Sequence, residues 1–116
     1  MSDTLFSNIV NETVMPFCIA LKAGDVSAIK QYLSEDMYKK NKVLLEQNKE
    51  YTEFLRNYYQ GGEFRVVKAE EIDNKIIVDV VIEFSSGEHR SGKLHLLKDN
   101  HVVSEKGNWK IMNFSM

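Results

Sequence analysis

The chain has 116 residues, 43% of them hydrophobic, with 15 basic against 17 acidic side chains and a formal net charge of -2. A chain of this length, residues 1–116, forms one domain and buries roughly two thirds of its unfolded surface. Its charges are too evenly balanced for a dedicated nucleic-acid surface. The start has no basic segment and no long apolar run, so we expect no signal peptide, no membrane association and a cytoplasmic protein, unless a leader has been removed.

The first helical stripe of apolar residues runs from Phe6 to Leu21 and predicts an N-terminal helix. Pro16 interrupts the stripe, so the helix either kinks there or begins near residues 11–13. Gly24 suits the left-handed residue that closes a helix, and Asp25 suits the N-cap of the next one. The sequence therefore predicts two helices on different axes.

A third helical segment continues from Ser34 to the glycine pair at residues 61–62. Unbroken, it would be about 38 Å long at 1.5 Å per residue. Because that exceeds the diameter of so small a domain, we expect a break in the polar stretch 46–50.

After residue 62 the apolar period changes to two, which is typical of strands. The segment KIIVDVVIEF (75–84) is paired by a turn at Asp73-Asn74 with EFRVVKAEEI (63–72). Segment 89–103 forms one long strand bulged near Asp99-Asn100 or two shorter strands, and residues 106–108 turn into a final strand, WKIMNF (109–114). The layout is α+β, with three N-terminal helices packed on an antiparallel β-sheet.

Both faces of the predicted sheet are partly apolar. Ile77 and Val81 oppose the main apolar stripe of their strand. On the last strand, alternation places Trp109 and Ile111 on one face and Met112 and Phe114 on the other. Since helices cover only one face, we expect a second copy to cover the other, giving a homodimer through the sheet face.

The motifs ALKAGD, YLSED and GNWKI, in this order, resemble the nuclear transport factor 2-like superfamily. This is the cystatin-like cone fold shared with ketosteroid isomerase, scytalone dehydratase and polyketide cyclases. The resemblance spans about residues 12–114 and rests on motifs that mark the fold and not an activity. It implies a curved sheet, a pocket between the concave sheet and the helices, and frequent dimers packed sheet to sheet.

Six side chains are predicted to line such a pocket. They are Tyr32, Tyr51, Tyr58, Phe84, His95 and Trp109. The isomerase template needs a proton-shuttling carboxylate beside a tyrosine and a neutral carboxylic acid, and that constellation cannot be placed on this chain. Asp79 and Glu83 share the less apolar face of their strand, so we expect them to be solvent or interface charges.

Metal and nucleophile chemistry find little support in the sequence. His89, His95 and His101 are six residues apart, about 20 Å on a continuous strand, so we predict no metal site. Cys18 lies in an apolar run and is expected to be a buried thiol. We predict no catalytic nucleophile and no cofactor.

Three functional hypotheses follow. The preferred one is a non-enzymatic cone-fold module that binds a small apolar or amphipathic ligand between helices and sheet. The second is a pocket enzyme of the isomerase, dehydratase or cyclase type. The third is an adaptor or immunity-like interaction domain that uses its exposed sheet face.

Overall fold

The chain is helical up to residue 59 and forms strands from residue 62 in the computed structural model, which describes residues 3–98 and 109–115. The helical elements are α1 (Asp3–Ile9), a π-helical turn (Val10–Val14), α2 (Met15–Ala23), α3 (Val26–Tyr32), α4 (Glu35–Gln47) and α5 (Tyr51–Tyr59). The strands are β1 (Gly62–Ile72), β2 (Lys75–Phe84), β3 (His89–Lys98) and β4 (Trp109–Ser115). This confirms the predicted α+β layout.

Pro16 is accommodated inside a continuous helix. Proline has no N–H to donate and its ring crowds the carbonyl four residues back. The turn before it is widened, and the N–H of Met15 donates to the carbonyl of Val10, five residues away. Of the two predicted arrangements, the structure therefore has the helix that passes through Pro16.

The whole N-terminal helical segment, Asp3–Ala23, is long and apolar enough to cross a membrane by length and composition alone. Core helices of globular domains meet the same criterion. In this segment Val14, Phe17 and Leu21 have no exposed surface, because they pack in the core against the sheet.

The junction between α2 and α3 has the predicted form. Gly24 adopts φ 67°, and a Cβ at this position would lie 2.8 Å from the carbonyl oxygen of Thr52 on α5. Asp25 Oδ1 accepts the N–H of Ala28 at 3.2 Å and caps α3. Both the glycine stop and the aspartate cap are confirmed.

The third predicted helical segment divides into two helices. Ser34 begins it by accepting the N–H of Met37 on its hydroxyl oxygen, α4 ends at Gln47, and α5 begins at Tyr51. The break lies within the predicted stretch 46–50. Because of it, α5 packs against α2, where Arg56 Nε donates to the carbonyl of Ala23 at 2.9 Å.

The four strands form an antiparallel meander in the order β1-β2-β3-β4. The turn at Asp73-Asn74 is the predicted hairpin connection, with Asp73 at φ 55°. Strand β3 ends at Lys98, and the predicted features at residues 99–100 and 106–108 lie outside the described residues.

The core lies between the helices and one side of the sheet. It is formed by side chains that are less than 2% exposed, among them Phe17, Leu21, Ile29, Ile76, Val78, Val80, Ile82, Leu94, Leu96 and Ile111. The NH of Ser34 also donates to the carbonyl of Ile111 at 2.8 Å, which covers part of the outer edge of β4.

A β-bulge overturns one prediction about β4. Leu94 pairs with Phe114 and Leu96 pairs with Ile111, so an extra residue is accommodated between the two pairs. Phe114 consequently lies on the helix-facing side with Ile111, and its ring meets that of Phe17 edge-on at 5.3 Å. The prediction that Phe114 and Ile111 lie on opposite faces is wrong.

Candidate functional site

The side of the sheet that points away from the helices is called the open face here. Its residues are Glu63, Arg65, Val67, Lys68, Glu70 and Ile72 on β1, Ile77, Asp79, Val81 and Glu83 on β2, His89, Ser91, Lys93, His95 and Leu97 on β3, and Asn113 and Ser115 on β4. Ile77 and Val81 are partly exposed in the middle of it.

Several charged groups on the open face form ion pairs within the chain. Arg65 Nη2 lies 2.6 Å from Glu83 Oε1, and Lys93 Nζ lies 3.2 Å from Asp79 Oδ1. The Asp79 oxygen is buried and accepts no hydrogen bond from described residues, so its link to Lys93 is an ion pair without hydrogen-bond geometry. Both carboxylates point away from the helices, as the strand pattern predicts.

A shallow depression of about 410 Å³ lies on the open face. It is lined by Val67, Asp79, Val80, Val81, Ser91, Gly92, Lys93 and Ser115. A second bulge, between Val66 and Lys68, brings Val67 to its rim. Sequence reasoning did not single out Val67, because only the strand register reveals the bulge.

Aromatic rings line one stripe of α5. The ring of Phe54 stacks on Tyr51 at 6.3 Å and on Tyr58 at 5.6 Å, and Tyr58 meets Tyr59 edge-on at 4.8 Å. Burial raises the pKa of the Tyr51 and Tyr59 hydroxyls. These phenols therefore stay protonated near neutral pH.

Arg90 joins this stripe to the sheet. Its guanidinium carbon lies 4.3 Å from the ring centroid of Tyr58 and 4.8 Å from that of Phe84. Its Nη1 also donates to the carbonyl of Tyr58 at 3.1 Å. Arg90 thus fills the space between two predicted pocket residues. The sequence offered no signal for this, because the contacting pairs come from separate elements.

The six predicted pocket residues do not come together in one place. Tyr58 and Phe84 lie against Arg90, and Tyr51 stacks on Phe54 along α5. Tyr32 packs against the core at the end of α3. His95 pairs with Ile77 and Asn113 on the open face, so it lies on the opposite side of the sheet from the others.

Trp109 lines a second depression, of about 670 Å³, at the end of the sheet that holds the β1–β2 turn. The residues around it are Leu5, Glu71, Asp73, Asn74, Leu97, Lys98 and Trp109. Its volume is in the range of small-molecule sites, which is about 300–1,000 Å³. The lining combines one indole ring with two carboxylates.

A hydrogen-bonded network links α3 to α4 on the surface. Glu46 accepts from the Tyr38 hydroxyl and from Lys30 Nζ, the latter at 3.2 Å. These bonds lower the pKa of Glu46, and the same contact raises the pKa of Tyr38. A general acid needs a carboxyl pKa that is shifted upward, so this network fits a structural role.

The part of the chain that the structure describes contains no assembled metal site and no accessible cysteine nucleophile. Cys18 is fully buried, and burial raises the pKa of its thiol to about 12. No group of three or more potential metal ligands occurs within residues 3–98 and 109–115. His101 lies outside those ranges.

Comparisons with known proteins identify the fold. No family model and no curated protein matches the chain. The structure is similar to that of a Campylobacter jejuni protein described as a candidate NTF2-like (nuclear transport factor 2-like) transpeptidase. The TM-score is 0.62 at 12% identity, over 84% of this chain and 91% of that one.

A further solved structure is that of RPA3114, a SEC-C motif containing protein from Rhodopseudomonas palustris. Its TM-score is 0.47 at 13% identity, over 84% of this chain and 70% of that one, which is too low to support an argument. At 12% identity, the likeness to the Campylobacter jejuni protein shows the fold alone.

Proposed function

From the premise that this chain has an NTF2-like fold, we propose that it is a non-enzymatic interaction module that forms a homodimer through the open face. One observation carries the proposal. Along β2, Ile76 and Val78 have no exposed surface on the helix side, whereas Ile77 and Val81 on the open face are only partly buried. Apolar side chains on a solvated sheet face are stabilised when a partner covers them.

The packing between helices and sheet favours this function over the ligand pocket preferred from the sequence. The described side chains there form one buried cluster. The depression of about 410 Å³ lies on the open face, and the one around Trp109 is confined to the end of the sheet, beside Leu5 of α1. Within the described residues, the centre of the helix-facing side is thus occupied by the chain's own side chains.

A pocket enzyme is supported less well. Ketosteroid isomerase-type chemistry uses a carboxyl group beside a tyrosine inside an apolar site. Here the buried phenols of Tyr51 and Tyr59 lie along α5, while Asp79 and Glu83 lie on the other side of the sheet, next to cations. The two kinds of group are separated by the sheet itself.

The dimer is tested by light scattering coupled to size exclusion, with two matched variants. We expect a dimer for the wild type and for Val43→Glu, which changes an exposed valine of α4. Val67→Glu should give a monomer, because it places a charge on the open face. Val43 and Val67 are 66% and 59% exposed, so neither change should unfold the chain. A monomeric wild type at tens of micromolar would contradict the proposal.

Ligand binding is a second candidate, supported by the depression around Trp109. The two carboxylates outnumber the single cation, Lys98, in this lining. An indole ring beside an excess of negative charge suits a cationic amphiphile, because both attract the cation. Trp109 is the only tryptophan of the chain, so its fluorescence reports on this depression.

The probe is decyltrimethylammonium below its micellar concentration, with a neutral surfactant of the same chain length as the control. We expect a saturable change in Trp109 emission with the cation alone, weakened in Asp73→Asn. That variant removes one charge and keeps a residue that tolerates the positive φ at position 73. Equal responses to both surfactants would argue against the site.

A further inference from the structure

The bulge in β1 gives the open face a protruding apolar side chain. Val66 pairs with Val80 and Lys68 pairs with Asp79, which leaves Val67 between them without a pairing partner in β2. An extra residue of this kind bends the strand and re-aims its side chain. Val67 is 59% exposed and is thus an apolar side chain of the open face that lies largely in solvent.

The depression next to Val67 is large enough to receive an apolar side chain. Besides Val67 itself, its lining includes Val81, Ser91 and Ser115. Small serine side chains leave space there, and the volume of about 410 Å³ is more than ten times the ~30 Å³ that one water takes up in the liquid. A protrusion and a depression therefore lie side by side on one surface.

The charges of the open face suit a second copy of the same chain. Three of its acidic groups pair with three of its basic groups, with Arg65 bound to Glu83, Lys93 to Asp79 and Lys68 to Glu70. A surface with such pairs has little net charge and does not repel its own copy.

Pairing through the edge of β1 is a poorer alternative. The bulge interrupts the row of backbone groups along this strand, and exposed charges such as Glu63 and Arg65 flank it. Bulges and charged side chains are the features with which natural sheets block edge-to-edge association. The face of the sheet, and not its edge, is therefore the surface open to a partner.

We infer that the two-fold axis of the dimer passes beside Val67, with each copy's Val67 inserted into the depression of the other. This inference rests on the homodimer proposed above. A two-fold interface brings the same patch of both copies together. Since the depression is lined by the chain's own Val67, an entering Val67 comes to lie against its counterpart.

Disulfide cross-linking tests the position of the axis. We expect Val67→Cys to form a covalent dimer under mild oxidation, seen as a doubled mass on a non-reducing gel and by mass spectrometry. The native Cys18 is buried and does not compete. A disulfide needs a Cα separation of about 4.4–6.8 Å, which we expect the two introduced cysteines to reach only when the axis lies beside Val67.

The matched control is Ile72→Cys on the same strand and face. Ile72 is 47% exposed and lies five residues from Val67, which is about 16 Å along a strand. With the axis running across β1 at Val67, two cysteines at position 72 should therefore stay too far apart to bond. Val43→Cys on α4 is a control for disulfides that form by random collision between molecules. This variant should also run as a monomer on the gel.

Two further variants test the same contact without cysteine chemistry. Val67→Ala should raise the dimer dissociation constant at least about tenfold, because buried methyl groups are lost from both copies. Ser91→Trp should fill the depression and give a monomer that keeps the wild-type circular dichroism spectrum.

The outcomes separate this inference from the dimer itself. A dimeric wild type that cross-links through Ile72→Cys but not through Val67→Cys would overturn the position of the axis and leave the homodimer standing. The same conclusion would follow if Val67→Ala and Ser91→Trp dimerised like the wild type. A monomeric wild type that cross-links at none of these positions would overturn both proposals.

Discussion

The two sides of β2 both carry isoleucine and valine side chains, and these side chains differ in burial. On the helix-facing side Ile76, Val78, Val80 and Ile82 are at most 1% exposed. On the open face Ile77 and Val81 alternate with Asp79 and Glu83, and all four keep some exposed surface. Since isoleucine and valine occur on both faces, their different burial is decided by what covers each face.

This difference shows which interactions hold the monomer together. The helix-facing side is complete within one chain, with close packing and the Arg90 contacts at its end. The open face has surface ion pairs, which contribute little to stability in water. Substitutions on the first side should act on folding, and those on the second should act mainly on association.

The largest expected effect comes from a matched pair of neighbouring isoleucines. Ile76→Ala should lower the free energy of unfolding by about 2–5 kcal/mol, because it leaves a cavity in a packed core. Ile77→Ala should lower it by less than about 1 kcal/mol in the monomer. Urea unfolding at low protein concentration measures both. Equal losses at the two positions would show that the two faces do not differ as described.

The stability of the protein at alkaline pH reports on the burial of Cys18 on the helix-facing side. Burial raises the pKa of its thiol to about 12 from 9.0, so the native state keeps a proton that the unfolded chain loses. The stabilisation is complete below pH 9 and is lost as the pH rises toward 12, by roughly 4 kcal/mol for a shift of this size.

The check is urea unfolding between pH 8 and pH 11 for the wild type and Cys18→Ala. The free energy of unfolding of the variant should depend less on pH. A part of the dependence should remain, because burial also raises the pKa of Tyr59. Identical slopes for the two proteins would show that the thiol is solvated in the native state.

Two arginines, one on each side of the sheet, give a second comparison of how the two faces contribute to stability. Arg90→Ala should cost about 1–2 kcal/mol, because it removes contacts with two aromatic rings and a hydrogen bond to the Tyr58 carbonyl. Arg65→Ala, which breaks the exposed pair with Glu83, should cost under about 1 kcal/mol. Thermal and urea unfolding measure both. A larger loss for Arg65 would reverse the proposed ranking of the faces.

The smallest expected effect concerns a helix cap that belongs to neither face. Asp25→Ala should lower the free energy of unfolding by about 1 kcal/mol, and Asp25→Asn should be nearly neutral because asparagine also caps helices. Neither variant should change the dimer measured by light scattering. Loss of the dimer in a folded Asp25→Ala protein would mean that this residue acts beyond capping.

Local signals made much of the fold predictable. The break between α4 and α5 was foreseen because an unbroken helix would exceed the diameter of so small a domain. Gly24 and Asp25 were foreseen because caps and helix stops depend on residues within one turn. The hairpin at Asp73-Asn74 and the strand β2 followed from a two-residue period flanked by turn residues. These features require only interactions between neighbours in the chain.

The candidate sites were harder to foresee. Tyr58 and Phe84 were singled out, but their meeting point, Arg90, was missed because it comes from a third element. His95 was grouped with the tyrosines although it lies on the other side of the sheet. Residue type indicates the chemistry that a side chain can perform. The strand register is needed to show on which face of the sheet the side chain lies.

The sequence by itself determined the element order, the α+β class and the resemblance to the nuclear transport factor 2-like fold, because periodicity and capping are short-range properties. Only the tertiary structure decided that Phe114 turns inward and that Val67 stands out on the open face. Both depend on bulges, each of which shifts the pairing by one residue and so exchanges the faces of the side chains that follow. Such a shift is set by the packing of whole strands against one another.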